Sequence, residues 1–175
     1  MNLDKLSYAS SKELTKEVHA FPNYNFIKGN ILNSDLLMLV LSQYQIDHVM
    51  HFASETHVDN SFGQSLEFTK NNVLGTHVLI EACRQYGKIQ KFIHISTDEV
   101  YGESAYGEHG AMEHSSLLRP TNPYSASKAA AEQVVWGYMK SFNFPAVITR
   151  SNNIFGPHQF PEKVIPKWIL SLIHI

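Results

Sequence analysis

Cysteine is almost absent from the 175 residues, since Cys83 is the only one. A single thiol cannot form an intrachain disulfide, which excludes a secreted scaffold built on disulfides. Long hydrophobic runs are also lacking: the longest aliphatic stretch is residues 36–41, far shorter than the roughly 20 residues that span a bilayer. Residues 1–5 have no apolar signal region. We therefore expect a cytoplasmic protein.

Neither positive nor negative charge is in large excess. The chain has 14 Lys and Arg residues and 16 Asp and Glu residues, which gives a formal net charge of −2. Without a long basic run, no nucleic acid partner is expected. The ten histidines are scattered and lack the paired spacings of metal ligands, so no metal site is predicted. None of the nine glycines lies in the Gly-x-x-Gly-x-x-Gly turn that opens a dinucleotide-binding sheet.

The hydrophobic pattern alternates between strands and helices. This alternation predicts an α/β fold, a doubly wound parallel sheet of the Rossmann-like type with crossover helices. Apolar residues make up 43% of the chain and charged ones 17%, which is typical of an ordinary globular domain. Strands are predicted at 24–28, 47–52, 91–96 and 146–150, and helices at 34–44, 65–85 and 124–142.

The strand at 91–96 leaves Thr97, Asp98 and Glu99 at its carboxyl end, the edge of an open α/β sheet where ligands bind. A hydroxyl and two carboxylates at this edge predict a catalytic site. One carboxyl must act as an acid and its neighbour as a base, which requires environments that separate their pKa values.

Asn122 and Pro123 predict a helix start, with Tyr124 and Lys128 one turn apart on the same face. A cation within ~4–6 Å lowers the pKa of a tyrosine, and Lys128 is placed to be that cation. Taken alone, Tyr-x-x-x-Lys also occurs by chance on solvated helix faces. The strand ending in Ser-Thr-Asp-Glu makes the pattern specific.

Together, Ser96-Thr97, Tyr124 and Lys128 resemble the catalytic triad of the extended short-chain dehydrogenase/reductase superfamily. The acidic pair Asp98-Glu99, followed by Val-Tyr-Gly, resembles the nucleotide-sugar 4,6-dehydratases, most closely the dTDP-glucose 4,6-dehydratase family of hydro-lyases. Many relatives that only epimerise or reduce lack this pair. The resemblance implies NAD as cofactor and a nucleotide-activated hexose as substrate.

The resemblance also implies a role for each catalytic residue. Tyr124 accepts the proton of the C4 hydroxyl while NAD takes the hydride, and Thr97 hydrogen-bonds the same oxygen. Lys128 holds the tyrosine and the nicotinamide ribose. Glu99 removes the C5 proton, which the C4 ketone has made acidic, and Asp98 protonates the departing C6 hydroxyl. NADH then returns its hydride to C6.

Further binding residues are carried over by resemblance. Asp4 corresponds to the acid that holds the adenosine ribose, and Asn30 stands where the family usually has aspartate. The expected cofactor-binding residues are Asp4, Lys5, Leu6, Asn30, Ile31, Phe52, Ala53, Ser54, Tyr124 and Lys128. The expected substrate-binding residues are Thr56, Thr97, Asn153, Glu162, Lys163 and Val164. Asn72 resembles a structural asparagine that ties its helix to neighbouring backbone.

The resemblance covers nearly the whole chain but only the middle of the family's fold. We expect a fragment, with residues 1–160 as a partial NAD-binding domain and 161–175 as the start of a truncated substrate-binding region. The glycine-rich turn would lie about 30 residues upstream, on a central strand, so residues 2–6 and 24–28 should lose their contact with the other strands. We expect such a chain to be poorly stable.

The resemblance further implies a homodimer in the full-length protein, through helices that include the one carrying Tyr124. The apolar residues Val134, Val135 and Trp136 on that helix allow such an interface. Two other functions stay open. One is a nucleotide-sugar epimerase or a GDP-mannose type dehydratase on the same fold, and the other is a non-catalytic dinucleotide-binding remnant.

Overall fold

The structure is a computed structural model that describes residues 1–10, 12–103, 110–113 and 115–173. Parallel strands alternate with helices, which confirms the predicted α/β class. The strands are Asn2–Asp4 (β1), Phe26–Lys28 (β2), His48–His51 (β3), Lys91–Thr97 (β4) and Ala146–Ser151 (β5).

The helices are Ser34–Gln43 (α1), Val58–Gly63 (α2), Ser65–Phe68 (α3), Gly75–Tyr86 (α4), Pro123–Phe142 (α5) and Val164–Ile173 (α6). A π-helical stretch, Thr69–Leu74, joins α3 to α4, and 3₁₀ segments cover Lys12–Ala20 and Asp98–Tyr101. Periodicity predicted α1, α4 and α5 but not α2, α6 or the 3₁₀ segment at Lys12–Ala20. None of the helices within the described ranges is long and apolar enough to cross a membrane.

The chain divides into two compact units. We call Ile31–Asn152 the central unit, and Met1–Asn30 with Asn153–Ile175 the terminal unit. The central unit holds the parallel sheet β3-β4-β5, and the terminal unit holds the parallel pair β1-β2. The expected loss of contact between the first two strands and the others stays a prediction. The predicted domain boundary at residue 160 stays a prediction.

The core of the central unit lies where α4 and α5 meet the sheet. Phe92 on β4, Ile80 on α4 and Val135 on α5 are fully buried. α1 packs on α4, while α5 packs on β4, β5 and the π-helical stretch. Val135 belongs to this core, whereas Trp136 beside it is 49% exposed; the dimer interface stays a prediction.

The predicted continuous helix at 65–85 is wrong in one respect. The π-helical stretch interrupts it and turns Asn71 and Asn72 inward, so that both side chains are buried. Leu66, an apolar residue of the predicted helix, is 82% exposed. The helix ends where predicted, since Gly87 follows α4 with a left-handed φ of 72°, a conformation that glycine adopts without steric cost.

The predicted start of α5 is confirmed. Asn122 is the N-cap, its side-chain oxygen accepts from the Ser125 amide at 2.8 Å, and Pro123 occupies the first turn. The predicted irregular loop between Gly102 and this cap includes residues 104–109 and 114, which lie outside the described residues.

Candidate active site

The carboxyl ends of β3, β4 and β5 form one edge of the central sheet, because all three strands run parallel. β4 reaches this edge at Thr97, which pairs in register with Ser151. The segment after β3 begins with Phe52 and the segment after β4 begins with Asp98. Parallel α/β sheets bind ligands at this edge, so the fold brings the predicted catalytic residues to the expected place.

Thr97 organises the turn that carries the two acids. Its hydroxyl donates to Asp98 Oδ1 at 3.2 Å and accepts from the backbone amide of Glu99 at 3.3 Å. It thereby caps the short 3₁₀ segment Asp98–Tyr101. The Thr97 side chain is buried and both carboxylates are half-buried, so one fixed hydroxyl lies directly beside two acids.

Tyr124 lies in the first turn of α5 and is buried, with its ring packed edge-on against Phe68 at a centroid distance of 6.3 Å. Burial raises the pKa of Tyr124 to about 12, and the negative charges of Glu99 and Asp98 contribute to that rise against the opposing effect of a hydrogen bond with Thr97. The phenol therefore lies within electrostatic reach of both acids.

Lys128 lies one turn after Tyr124 on α5 and contacts the backbone of β4. Its Nζ donates to the carbonyl oxygen of Ile95 at 2.6 Å, and burial lowers its own pKa to about 8, against the raising effect of Glu132. Burial and two carboxylates dominate the pKa of Tyr124, and the predicted support of its phenolate by Lys128 stays a prediction.

Asn72 fixes the loop after β3 and confirms the prediction of a structural asparagine. Its Oδ1 accepts from the Glu55 amide at 2.8 Å, and its Nδ2 donates to the Glu55 carbonyl at 3.0 Å. The same Nδ2 donates to Ser127 Oγ at 2.9 Å, and that hydroxyl donates to the Tyr124 carbonyl at 2.7 Å. Asn72 thus links the loop to the first turn of α5.

Two contacts at the turn that carries Asp98 and Glu99, called the acidic turn, were not predicted from the sequence. Asn122 Nδ2 donates to Glu99 Oε2 at 3.3 Å, and Arg150 Nη1 donates to the Tyr101 hydroxyl at 2.7 Å. Arg150 also pairs with Glu132, whose side chain is buried within α5. The sequence held a signal for this pair: Glu132 follows Lys128 by four residues, so it shares the buried face, and a buried carboxylate requires a partner.

The terminal unit brings together the residues predicted to bind adenosine. β1 and β2 end side by side, and an open cavity of about 510 Å³ is lined by Lys5, Leu6, Ser7, Lys28, Gly29 and Asn30. Asp4 Oδ1 accepts from the Leu6 amide at 2.6 Å, which fixes the carboxylate at the end of β1. Ile31, predicted beside Asn30, has a buried side chain in the central unit.

The other predicted binding residues lie on the segments after β3 and β5. Phe52, Ala53 and Thr56 are exposed, while the Ser54 hydroxyl donates to Asn72 Oδ1 at 3.1 Å. Asn153 is exposed in the terminal unit.

Glu162 accepts from the Tyr8 hydroxyl at 3.0 Å, Lys163 is half-buried, and Val164 starts α6. Nowhere in the described ranges do three His, Cys, Asp or Glu residues gather as a metal site would require.

Comparison with known proteins identifies a matching family and several similar proteins. The family model described as GDP-mannose 4,6 dehydratase matches residues 1–174. A trifunctional UDP-glucose 4,6-dehydratase/3,5-epimerase/UDP-4-keto-L-rhamnose-reductase from Arabidopsis thaliana is 55% identical, over 96% of this chain and 25% of its own length. Human dTDP-D-glucose 4,6-dehydratase is 50% identical, over 99% of this chain and 49% of its own length.

A solved structure of a dTDP-glucose 4,6-dehydratase from Streptomyces venezuelae with NAD bound superposes with a TM-score of 0.92. Its sequence is 38% identical, and the match covers 98% of this chain and 52% of that one. The chain therefore spans at most about half the length of these relatives, and its fold is the incomplete Rossmann-like one predicted from the sequence. Because the family model matches almost every residue, the chain belongs to the GDP-mannose 4,6-dehydratase family.

Proposed function

We propose that the protein containing this chain catalyses the NAD-dependent dehydration of a nucleotide-activated glucose, converting dTDP-glucose to dTDP-4-keto-6-deoxyglucose. The acidic turn carries this proposal. Asp98 and Glu99 follow Thr97 directly, and both charges act on the buried phenol of Tyr124. Oxidation and elimination at adjacent sugar carbons require a phenol and two acids in such proximity.

The oxidation is assigned to Tyr124 and Thr97. The Tyr124 oxygen accepts the proton of the C4 hydroxyl, and Thr97, already hydrogen-bonded to the acidic turn, binds the same substrate oxygen. Lys128 supports the phenolate and holds the ribose of the cofactor. When bound, NAD supplies the hydride acceptor for C4, the hydride donor for C6 and a cationic ring that favours the phenolate.

The elimination is assigned to the two acids. Glu99 removes the C5 proton, and the electron pair of that bond forms the C5=C6 double bond. The C6–O bond breaks, and the hydroxide leaves as water with the proton from Asp98. The two carboxyl groups have different partners: Asp98 accepts from the Thr97 hydroxyl, and Glu99 accepts from the Asn122 amide.

The residues at the ends of β1 and β2 fit the adenosine half of NAD. A fixed Asp4 carboxylate offers two acceptors to ribose hydroxyls, and the cavity of about 510 Å³ lies beside it. The proposed cofactor contacts are Asp4, Lys5, Leu6, Asn30, Ile31, Phe52, Ala53, Ser54, Tyr124 and Lys128. For Ile31 the contact would be made by the backbone, since its side chain is buried.

The proposed substrate contacts are Thr56, Thr97, Asn153, Glu162, Lys163 and Val164. Lys163 is the natural partner for the diphosphate charge. The homodimer stays a prediction, supported by the exposed ring of Trp136 on α5. The cytoplasmic location and the absence of a nucleic acid partner also stay predictions.

UDP-glucose is a second candidate substrate. The Arabidopsis relative at 55% identity is named for UDP-glucose, and the human relative at 50% identity is named for dTDP-glucose. UDP and dTDP differ by the methyl group of thymine and by the 2′-hydroxyl of the ribose, and a hydrophobic pocket discriminates one methyl group by only about 1–3 kcal/mol. Both nucleotides therefore belong in the first assay.

The assay uses the full-length gene product, NAD and each nucleotide-glucose in turn, with mass spectrometry to detect a product that has lost one water. Wild type should form this product. Glu99→Gln should reduce NAD without losing water, and Tyr124→Phe should do neither. The control Glu67→Gln removes an exposed carboxylate on α3 and should match wild type.

The alternatives give different results in the same assay. An epimerase or reductase would keep its activity in Asp98→Asn and Glu99→Gln and release no water. A GDP-mannose dehydratase would act only when GDP-mannose replaces the glucose nucleotides. A non-catalytic remnant would bind NAD, measured by calorimetry, without any turnover.

A further inference from the structure

The side-chain amide of Asn122 makes one contact through its oxygen and another through its nitrogen. Its oxygen accepts the Ser125 amide proton at 2.8 Å and so caps α5, while its nitrogen donates to Glu99 Oε2 at 3.3 Å. The Ser125 hydroxyl completes the capping box by accepting from the Asn122 backbone amide at 3.3 Å. The cap requires only the oxygen end. The nitrogen end is therefore available to act on Glu99.

Glu99 needs such a restraint. It lies on a 3₁₀ segment of four residues, where its amide donates to Thr97 Oγ1 and its carbonyl accepts from the Gly102 amide, so that the backbone is held but the carboxylate is not. Glutamate has long, rotamer-rich side chains that lose conformational entropy when fixed. The Asn122 amide binds one carboxylate oxygen and leaves the other to meet a proton. Because Asn122 is itself held by the cap, this restraint belongs to the same helix start that presents Tyr124.

We propose that Asn122 is a positioning residue that orients the Glu99 carboxylate for proton abstraction from C5; this inference rests on the proposed dehydratase function. Asn122 acts through Glu99 and takes no part in the oxidation at C4. Loss of its amide therefore slows breakage of the C5–H bond and leaves transfer of the C4 hydroxyl proton to Tyr124 intact.

Two substitutions separate this role from capping. Asn, Asp and Ser are about equally good N-caps, so Asn122→Ser and Asn122→Asp both keep α5 capped. Serine removes the amide donor, and aspartate places a second carboxylate against Glu99. A hydrogen bond to a charged group corresponds to roughly 10- to 100-fold in rate, so Asn122→Ser should lower kcat for water loss by that factor with little change in KM. Asn122→Asp should lower it further.

The predicted signature is spectroscopic. In the full-length protein with NAD and dTDP-glucose, both variants should accumulate reduced NAD, because oxidation proceeds at its usual rate and elimination is slowed. The matched control is Asn33, the N-cap of α1, whose Oδ1 accepts from the Leu36 amide at 3.0 Å. Asn33→Ser and Asn33→Asp make the same chemical changes at a cap on another helix and should accumulate none.

Equal rates of water loss in wild type and Asn122→Ser would overturn the inference, as would reduced NAD accumulating equally in the Asn33 variants. A wild-type protein without turnover would instead contradict the proposed function. The contact is then tested by NMR, which needs no substrate: Glu99→Gln should move the Asn122 side-chain amide proton resonances in the full-length protein. Unchanged resonances would overturn the inference.

Discussion

Arg150 and Glu132 form a buried ion pair between the end of β5 and the middle of α5. Arg150 Nη2 donates to Glu132 Oε2 at 2.7 Å, and Nε donates to both carboxylate oxygens at 3.0 and 3.1 Å. The Glu132 side chain is 1% exposed and that of Arg150 is 17% exposed. Since Arg150 also donates to the Tyr101 hydroxyl, the pair connects α5 to the segment that carries Asp98 and Glu99.

Removing one partner of this pair should strongly destabilise the protein. Glu132→Ala leaves the Arg150 guanidinium without its buried counter-charge, a change that typically costs about 3–5 kcal/mol. Urea unfolding of the two proteins measures the difference. The control Glu13→Ala breaks an ion pair with Lys16 in which both side chains are about two-thirds exposed, and should cause no measurable loss. Equal effects of the two substitutions would contradict the structural role of Glu132.

Two buried histidines should make the fold sensitive to acid. Burial lowers the pKa of His51 to about 3 and that of His94 to about 2, from an ordinary value of 6.5. The unfolded chain therefore binds more protons than the folded one below pH 6.5, so stability is present above that pH and is lost as the pH falls towards 3. For His94 the loss between pH 7 and pH 5 amounts to about 2 kcal/mol.

The histidine prediction is checked by urea unfolding at pH 7 and pH 5. Neither ring nitrogen of His94 has a hydrogen-bond partner in the described part of the chain, so His94→Leu should remove its share of the acid sensitivity. The control His48→Gln replaces a histidine on β3 whose side chain is 60% exposed. The same pH dependence in all three proteins would show that His94 does not titrate on unfolding.

Cofactor binding should weaken above pH 8. Burial lowers the pKa of Lys128 to about 8, so the ammonium assigned to the ribose loses its charge as the pH rises through that value. If the charged form binds, affinity for NAD falls about tenfold for each pH unit above the pKa. Calorimetry at pH 7 and pH 9 measures the change, and Lys128→Met should bind weakly at both. If the dissociation constant of wild type for NAD is the same at pH 7 and pH 9, the assignment of Lys128 to the cofactor site is contradicted.

Gly102 should tolerate no side chain. It has φ of +89°, and a Cβ there would lie 2.3 Å from the carbonyl oxygen of Arg119. Gly102→Ala should therefore shift the turn that follows the acids and lower both stability and water loss. Gly137 lies within α5 with open space at its Cβ position, so Gly137→Ala should stabilise by about 0.5–1 kcal/mol. Thermal unfolding of the two variants measures the difference. A stabilising effect of Gly102→Ala would contradict the expected clash with Arg119.

Several local features could be read from the sequence because they depend on short-range chemistry. The cap at Asn122, the left-handed glycine after α4 and the strand that ends in Thr97 each follow from the preference of one residue type for one backbone position. Periodicity identified α1, α4 and α5 but not the π-helical stretch, because the inward turn of Asn72 depends on partners 17 and 55 residues away. No local pattern reports such distant contacts.

The sequence by itself determined the α/β class and the alternation of strands β2 to β5 with helices α1, α4 and α5. Its resemblance to a known family pointed to the five residues proposed for catalysis, and strand ends and helix starts fix where Thr97, Asp98, Glu99, Tyr124 and Lys128 stand. Only the tertiary structure decided their electrostatics. Burial and two carboxylates raise the Tyr124 pKa, Lys128 turns to the Ile95 carbonyl, and Asn122 reaches Glu99 from another element. Charge interactions and desolvation depend on distance and burial in space, which residue spacing along a chain does not record.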